Sequence, residues 1–282
     1  MKMNCFAFYS CLVFGMATGI LCTPGESWAG NIYVFRHGEG FHNIHKIWST
    51  NPLNKEHYII ANLTPLGEQQ VIANAEKLLK DPDFDKNKID TVFFSPLPRT
   101  IQTSKSIIKT LGIPDNKRVV APEIIEINLG DHEGLSQAEF EKLGWMKELA
   151  NGKKTHDYQF GHLIGGENEE DLDQRVESFL INKILLQDDL DNKDYILVSH
   201  WHTSQRIIQF FDPTNIADLS TGNYAIIPKE MINAKALEIK QALQEGKICL
   251  EKKSSSFVTK LYENIKEILA QGDQEKVGVD HF

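Results

Sequence analysis

Several short apolar segments of the sequence are each followed by a side chain that can do chemistry. In chain order these side chains are Arg36, His37, Arg99, Glu126 and His200. An arginine presents a permanently charged fork of N–H donors that suits phosphate oxygens, and a histidine near neutral pH offers a nitrogen that can attack or accept a proton. A carboxylic acid can protonate a leaving oxygen. Together these residue types predict phosphoryl transfer, in which a histidine attacks phosphorus while fixed cations hold its oxygens.

The elements that must position these side chains alternate along the chain. Apolar runs that predict strands are residues 32–35, 91–95, 119–120, 195–199 and 224–227. The first predicted helix begins at Thr64-Pro65, and the second runs from about Arg99 to Leu111. Further helices are predicted over residues 136–149, 169–186, 204–211, 229–245 and 254–270. Alternating strands and helices favour an α/β fold, and ligands of such folds bind at the carboxyl ends of the strands. The candidate residues are therefore expected to converge at one edge of the sheet.

The predicted architecture is a three-layer sandwich, in which helices flank a mostly parallel central sheet. The sandwich is assigned to residues 30–228. Residues 229–282 are expected to form a C-terminal helical extension, because Phe257, Leu261, Ile265, Ile268 and Leu269 share one helical face there. We expect this extension to pack against the sandwich rather than to act as a binding module.

Net charge narrows the function classes. The 282-residue chain carries a formal net charge of −9, which argues against general binding of nucleic acid or membrane surfaces. Any anion must therefore be held by a local basic pocket. Three of the four cysteines lie within the first 22 residues and the fourth is Cys249, so the folded part is not expected to contain an internal disulfide.

Residues 1–29 have the pattern of a secretory signal peptide. Lys2 precedes an uncharged, mostly apolar run, and the small residues Ser27 and Ala29 occupy the positions that favour cleavage. The sequence therefore predicts export, to the periplasm or the medium. The alternative is a membrane anchor formed by residues 5–22.

Two further groups of residues are open candidates. His42 and His45 are close enough in sequence to suggest a metal pair, but they lack a suitably spaced acidic or cysteine partner and are better interpreted as loop histidines that line a polar pocket. Besides Glu126, Asp131 and Glu133 are also possible proton donors.

The order of these motifs resembles the histidine phosphatase superfamily, in its phosphoglycerate-mutase-like branch (branch 1), from about Ile32 to Ile227. The motifs are Arg36-His-Gly-Glu-Gly-Phe-His-Asn43, Leu63-Thr-Pro-Leu-Gly67, Ser95-Pro-Leu-Pro-Arg-Thr-Ile-Gln-Thr103, Glu126 with Gly130-Asp-His-Glu-Gly134, Gly166-Glu167 with Arg175, and Val198-Ser-His200. The form of the first motif is similar to that of broad-specificity phosphatases in the branch.

The resemblance implies a role for each matching position. His37 would be the nucleophile that forms a phosphohistidine, and Glu126 would be the proton donor. The phosphoryl group would be bound by Arg36, Asn43, Arg99 and His200. Glu39, Trp201 and His202 would line the substrate pocket. Trp201 stands where family members commonly have glycine, so it is expected to narrow the pocket or to stack on an aromatic substrate. No cofactor and no metal are implied, because arginines supply the charge stabilisation.

The implied activity is a phosphatase that acts on small phosphate monoesters. A phosphoglycerate-type phosphomutase and a catalytically idle protein that binds a phosphorylated ligand are the alternatives. Intact candidate positions argue against the idle protein, and the short sequence between Glu126 and His200 argues against the mutase. No nucleic-acid partner is expected, no membrane partner is expected once the signal is cleaved, and a homodimer is left open.

Overall fold

The computed structural model describes residues 30–54, 59–140, 142, 161, 165–187, 193–216, 218–248 and 256–272. The predicted signal segment, residues 1–29, lies outside the described residues. So does most of the predicted helix at 136–149 and most of the loop that follows it. Within the described ranges, no helix is both long and apolar enough to cross a membrane.

Five strands form one sheet in the order β3-β2-β4-β1-β5. They are β1 (Ile32–Arg36), β2 (Ile89–Phe94), β3 (Arg118–Val120), β4 (Asp194–Ser199) and β5 (Tyr224–Ile227). The first four strands run parallel, and β1 pairs with β4 from Ile32↔Tyr195 to Arg36↔Ser199. The edge strand β5 runs antiparallel to β1. The predicted mostly parallel sheet is thus confirmed.

Helices cover both faces of the sheet, which explains why the central strands are apolar on both faces over most of their length. The helices are α1 (Phe41–His45), α2 (Pro65–Leu79), α3 (Pro98–Leu111), α4 (Gln137–Phe140), α5 (Glu169–Leu180), α6 (Trp201–Phe211), α7 (Lys229–Gln244), α8 (Ser256–Glu263) and α9 (Ile265–Gly272). Ile32 and Val34 of β1 pack with α5, α6 and α7, whereas Tyr33 and Phe35 pack with α2 and α3. The alternation of side chains along each strand therefore builds two separate cores, as in a three-layer sandwich.

Local signals fix the ends of two helices as the sequence predicts. Thr64 is the N-cap of α2, and its hydroxyl accepts a hydrogen bond from the amide of Gly67 at 2.9 Å. Gly112 ends α3 in the left-handed conformation, with φ 66°.

Two predicted helices differ from the structure. The helix expected from Ser204 begins at Trp201, because His200 is itself the N-cap and the helix follows β4 without a loop. The helix expected over residues 254–270 is divided at Asn264 into α8 and α9. There the Asn264 side chain donates to the carbonyl of Lys260 at 2.8 Å, in competition with the backbone hydrogen bonds of the helix. In addition, a π-helical turn at Ile181–Leu185 extends α5.

The C-terminal helices α8 and α9 pack against the loops at the carboxyl edge of the sheet. Their buried side chains Phe257, Leu261 and Ile268 form a cluster with Leu97 and Ile125. Leu97 lies just before α3, and Ile125 lies in the loop after β3. The extension is therefore in contact with two segments that carry candidate functional residues.

Candidate active site

The carboxyl ends of β1, β2 and β4 lie side by side, and they bring His37, Ser95 and His200 to one edge of the sheet. The backbone of His37 is fixed on both sides, because its amide donates to Ser199 at 3.0 Å and its carbonyl accepts from Gly222 at 2.8 Å. The side chain is only 2% exposed. The expected convergence of strand ends is thus present, with His37 at its centre.

The tautomer of His37 follows from one contact. Its Nδ1 lies 2.7 Å from the carbonyl oxygen of Gly38, which can only accept, so Nδ1 carries the proton and Nε2 has a free lone pair. Burial, followed by the positive charge of Arg99, lowers the pKa of His37 well below its ordinary value. The ring is therefore neutral at physiological pH, as a nucleophile must be.

Gly38 is required by a close approach of two backbone segments. A Cβ at Gly38 would lie 2.2 Å from the carbonyl oxygen of Gly67 in the first turn of α2. The amide of Gly38 also donates a hydrogen bond to the hydroxyl of Thr103 in α3 at 3.1 Å. These contacts clamp the loop after β1 between α2 and α3.

Two arginines beside His37 have nitrogen atoms that find no acceptor among the described residues. Arg99 is 2% exposed; its Nε donates to His200, whereas its buried Nη1 has no hydrogen-bond partner. Arg36 donates from Nη1 to the carbonyl of Leu219 at 2.6 Å, and its buried Nε has no partner. Burial lowers the pKa of Arg99 to about 10, so the guanidinium is still charged at neutral pH. A buried charged donor without an acceptor is costly, and an anion in this pocket would satisfy both groups.

His200 is fully buried, with a ring centroid 5.2 Å from that of His37. Its Nδ1 accepts from Arg99 Nε at 3.2 Å, which leaves the proton on Nε2, and Nε2 lies 2.7 Å from the hydroxyl of Ser95. Burial and the charge of Arg99 lower the pKa of His200 well below its ordinary value. In this arrangement His200 orients Arg99, and a direct hydrogen bond to an anion requires its Nε2–H to leave Ser95.

Glu126 lies in the loop after β3, is 7% exposed, and directs its carboxylate to the N-terminus of α6. Its carboxylate accepts from the amides of Ile127 at 3.0 Å, His202 at 3.2 Å and Thr203 at 3.3 Å. The hydroxyl of Thr203 also donates to the carbonyl of Ile125 at 2.7 Å. The carboxylate is therefore oriented by the helix that begins directly after His200.

A buried ion pair holds the segment that presents Glu126. Arg175 donates to the carbonyls of Glu123 at 2.6 Å, Ile125 at 2.8 Å and Glu126 at 3.1 Å. The same guanidinium forms a two-pronged pair with Glu167, at 2.9 and 3.0 Å. Arg175 thereby fixes the backbone on both sides of Ile125, and the position of Glu126 depends on it.

The two other acidic candidates are placed differently. Asp131 is exposed. Glu133 accepts from the amides of Thr50 and Asn51 and from the Thr50 hydroxyl at 2.8 Å, so both of its oxygens are engaged. Burial raises the pKa of Glu133. These bonds make Glu133 an anchor for the segment at residues 50–51.

The side chains of Asn43 and Glu39 form hydrogen bonds with nearby protein groups. The side-chain oxygen of Asn43 accepts from the amide of Gly40 at 2.9 Å, at the start of α1. Glu39 accepts from the hydroxyl of Thr64 at 2.9 Å, and its amide donates to Gln70 at 3.0 Å. Both residues therefore join the loop after β1 to its surroundings.

His42, which the sequence predicted to be a loop histidine that lines a polar pocket, lies on α1 beside the nucleophile candidate. Its ring centroid is 5.3 Å from that of His37, and its buried Nδ1 has no hydrogen-bond partner. Burial, followed by the charge of Arg99, lowers its pKa well below the ordinary value. The Gly-Phe-His spacing was a usable signal, because a Cβ at Gly40 would lie 2.5 Å from His42 Nδ1. His45 is exposed, and the described part of the chain contains no group of three or more metal-binding side chains.

Trp201 and His202 form the start of α6 at the rim of the pocket. Their rings meet edge to face with centroids 4.3 Å apart. The indole Nε1 of Trp201 donates to the carboxylate of Asp218, a residue that the sequence did not single out. His202 Nδ1 lies 3.8 Å from Glu126. The indole is thus held by the loop after α6.

A sandwich fold with a buried, doubly cationic pocket around a neutral histidine defines a protein that handles phosphate groups. The family comparison agrees with this class: residues 32–226 match the histidine phosphatase superfamily (branch 1), and the chain belongs to that superfamily. The match covers both arginines, both strand-end histidines and Glu126.

Two relatives carry names from phosphate chemistry. The chain is 27% identical over 183 residues to the protein named "Putative phosphoserine phosphatase 2" of Hydrogenobacter thermophilus, across 63% of this chain and 76% of that protein. It is 38% identical over 78 residues to a phosphoglycerate mutase-like protein of Arabidopsis thaliana, and this match spans only 26% of each chain.

Solved structures share the fold. The mycobacterial glucosyl-3-phosphoglycerate phosphatase, solved in complex with VO3, superimposes with a TM-score of 0.53 and 19% identity, across 70% of this chain and 92% of that chain. The alpha-ribazole phosphatase of Shigella flexneri gives a TM-score of 0.52 and 22% identity, across 70% and 89% of the two chains.

Proposed function

We propose that the protein is a metal-independent phosphatase that hydrolyses small phosphate monoesters through a phosphohistidine on His37. The observation that carries this proposal is the environment of His37: a neutral ring with a free Nε2, beside two guanidinium groups that each have a buried N–H donor in need of an acceptor. Arg36 and Arg99 would hold the oxygens on which charge spreads as phosphorus changes partner.

The first step is attack of His37 Nε2 on phosphorus. The N–P bond forms as the bond from phosphorus to the alcohol oxygen breaks, and Glu126 gives its proton to that oxygen. The gain in positive charge on the ring is offset because Nδ1–H donates to the carbonyl of Gly38.

The second step is hydrolysis of the phosphohistidine. Glu126, now ionised, takes a proton from a water molecule as the oxygen attacks phosphorus and the N–P bond breaks. Inorganic phosphate leaves, His37 is neutral again, and Glu126 is protonated for the next cycle. Arg175 and the start of α6 would keep the carboxyl group in place for both proton transfers.

The test is hydrolysis of para-nitrophenyl phosphate between about pH 4 and pH 8, with and without a chelator. We expect turnover that resists the chelator, is inhibited by vanadate and is lost in His37→Ala. His45→Ala is the matched control, because His45 is an exposed histidine on α1. Full activity of His37→Ala, in a folded sample, would disprove the nucleophile.

The same samples separate the alternatives. Interconversion of phosphoglycerates that depends on a bisphosphate primer, without net hydrolysis, would replace the proposal with a mutase. Binding of phosphate without any turnover would replace it with an idle binding protein.

A further inference from the structure

An exposed carboxylate is fixed beside the candidate phosphate pocket. Asp218 lies in the loop after α6, its side chain is exposed, and its Oδ1 accepts a hydrogen bond from the indole of Trp201. Trp201 directly follows the pocket residue His200. The indole N–H is an uncharged donor, so it holds the carboxylate in one place without neutralising its charge.

Backbone hydrogen bonds tie the same loop to the phosphate-binding candidates. Leu219, the next residue, accepts from Arg36 Nη1 at 2.6 Å. The amide of Gly222 donates to the carbonyl of His37 at 2.8 Å, and the amide of Arg36 donates to Asn223 at 3.0 Å. Asp218 is therefore held close to Arg36 by its neighbours in the chain as well as by Trp201.

The carboxylate of Asp218 acts on Arg36 without pairing with it. Its negative charge opposes the lowering of the Arg36 pKa that burial causes, so the two groups are within electrostatic range. Within the described ranges Arg36 forms no ion pair, and its Nε is without a partner. The bond to Trp201 thus keeps Asp218 at the rim while Arg36 stays available for phosphate.

The charge at this rim acts on the part of the substrate that differs between phosphate esters. Every monoester brings the same dianionic phosphate to Arg36 and Arg99, so repulsion between that group and Asp218 is common to all of them. The alcohol portion extends from the phosphate towards solvent, and its charge alone changes the interaction with an exposed carboxylate.

We propose that Asp218, fixed by Trp201, selects substrates by the charge of their alcohol portion. It favours phosphate esters of cationic amino alcohols and disfavours phosphate esters of alcohols that carry a carboxylate. This inference rests on the proposed phosphatase activity and deepens it by naming a substrate class. It also gives Trp201 a function that the glycine common at this position in the family would lack.

The test compares three small substrates of similar size and different charge. They are O-phosphoethanolamine, glycerol 3-phosphate and 3-phosphoglycerate, each assayed by phosphate release with the full chain. In Asp218→Asn we expect kcat/KM, taken relative to that for glycerol phosphate, to fall about twofold to fivefold for phosphoethanolamine and to rise by a similar factor for phosphoglycerate. High salt should reduce both changes, because exposed charges are screened.

Two further variants control the test. Asp115→Asn removes another exposed carboxylate, which lies just before β3 and pairs with Arg118, and should leave all three substrates unchanged. Trp201→Phe keeps an aromatic ring but removes the N–H, so the preference for the cationic substrate should weaken. In the double variant Trp201→Phe/Asp218→Asn, the ratios among the three substrates should equal those of Asp218→Asn.

Failure of this inference can be told apart from failure of the proposed function. If the wild-type protein releases phosphate neither from these three substrates nor from para-nitrophenyl phosphate, the phosphatase proposal itself fails. If it hydrolyses glycerol phosphate and Asp218→Asn changes all three substrates by the same factor, the phosphatase stands and the charge selection is overturned.

Discussion

Three neutral histidines buried in one pocket should make the folded protein sensitive to acid. His37, His42 and His200 all have pKa values lowered well below 6.5, mainly by burial. In the unfolded chain each binds a proton as the pH falls through about 6.5, whereas the folded ring does not. The unfolded state then binds more protons, so the free energy of unfolding decreases as the pH falls.

The magnitude follows from proton linkage. Between pH 7 and pH 5.5, one histidine that stays neutral in the folded state costs about 1.3 kcal/mol of stability, so the three together cost about 4 kcal/mol. Glu177 acts in the opposite direction, because burial raises its pKa from 4.5 to about 7 and it takes up a proton in the folded state first. Its contribution over the same range is a gain of up to about 1.6 kcal/mol. For these four groups together the expectation is a loss of about 2 kcal/mol.

The assay is urea unfolding at pH 7 and pH 5.5 in buffer without phosphate. His42→Gln removes one titrating ring whose Nδ1 has no hydrogen-bond partner, so the variant should lose about 1.3 kcal/mol less than the wild type over this interval. His45→Gln, on the same helix, is the matched control and should follow the wild type. Equal losses in the wild type and His42→Gln would refute the reasoning, because His42 would then titrate in the folded state as it does in the unfolded chain.

Three further outcomes are expected at other positions. Glu126→Gln should slow phosphohistidine formation from alkyl phosphates by about 10²–10⁴ but slow the nitrophenolate burst from para-nitrophenyl phosphate little, because nitrophenolate leaves without a proton, whereas steady-state turnover of both should fall with loss of the base; a burst slowed by the same factor as the alkyl phosphates would exclude an acid role. Gly38→Ala should lower the melting temperature, because its Cβ would lie 2.2 Å from the carbonyl of Gly67; an unchanged melting temperature would show that the two segments can separate freely. Arg175→Lys should cost about 2 kcal/mol or more in urea unfolding and reduce kcat more than it changes KM, since Lys cannot reach three carbonyls and Glu167 together; a change confined to KM would contradict a positioning role for Arg175.

The sequence predicted best what depends on short-range pattern. Strands buried on both faces read as unbroken apolar runs, so the residues that follow them, such as His37 and His200, were placed correctly at the edge of the sheet. The start of α2 was equally clear, because Thr64-Pro65 is a local cap. These signals need no knowledge of the rest of the fold.

Contacts between distant segments were beyond the sequence. The bond from Trp201 to Asp218 depends on the path of the loop after α6, and the cluster of Leu97 and Ile125 with α8 and α9 joins segments that are far apart in the chain. The division of the last helix at Asn264 was missed because its apolar face continues through the break. Periodicity reports which face is buried, not whether the backbone is continuous.

The cluster that joins α8 and α9 to Leu97 and Ile125 has a consequence for where the functional unit ends. Leu97 stands two residues before Arg99, and Ile125 stands next to Glu126, so the same apolar contacts lie behind both side chains. Tyr262 adds a hydrogen bond to Glu123 at 2.8 Å. Among the contacts described above, α8 and α9 contribute no polar group to the pocket. They nevertheless support the backbone next to both Arg99 and Glu126. A protein shortened to residues 30–228 would keep all five strands of the sheet but would lose the apolar contacts behind Arg99 and Glu126.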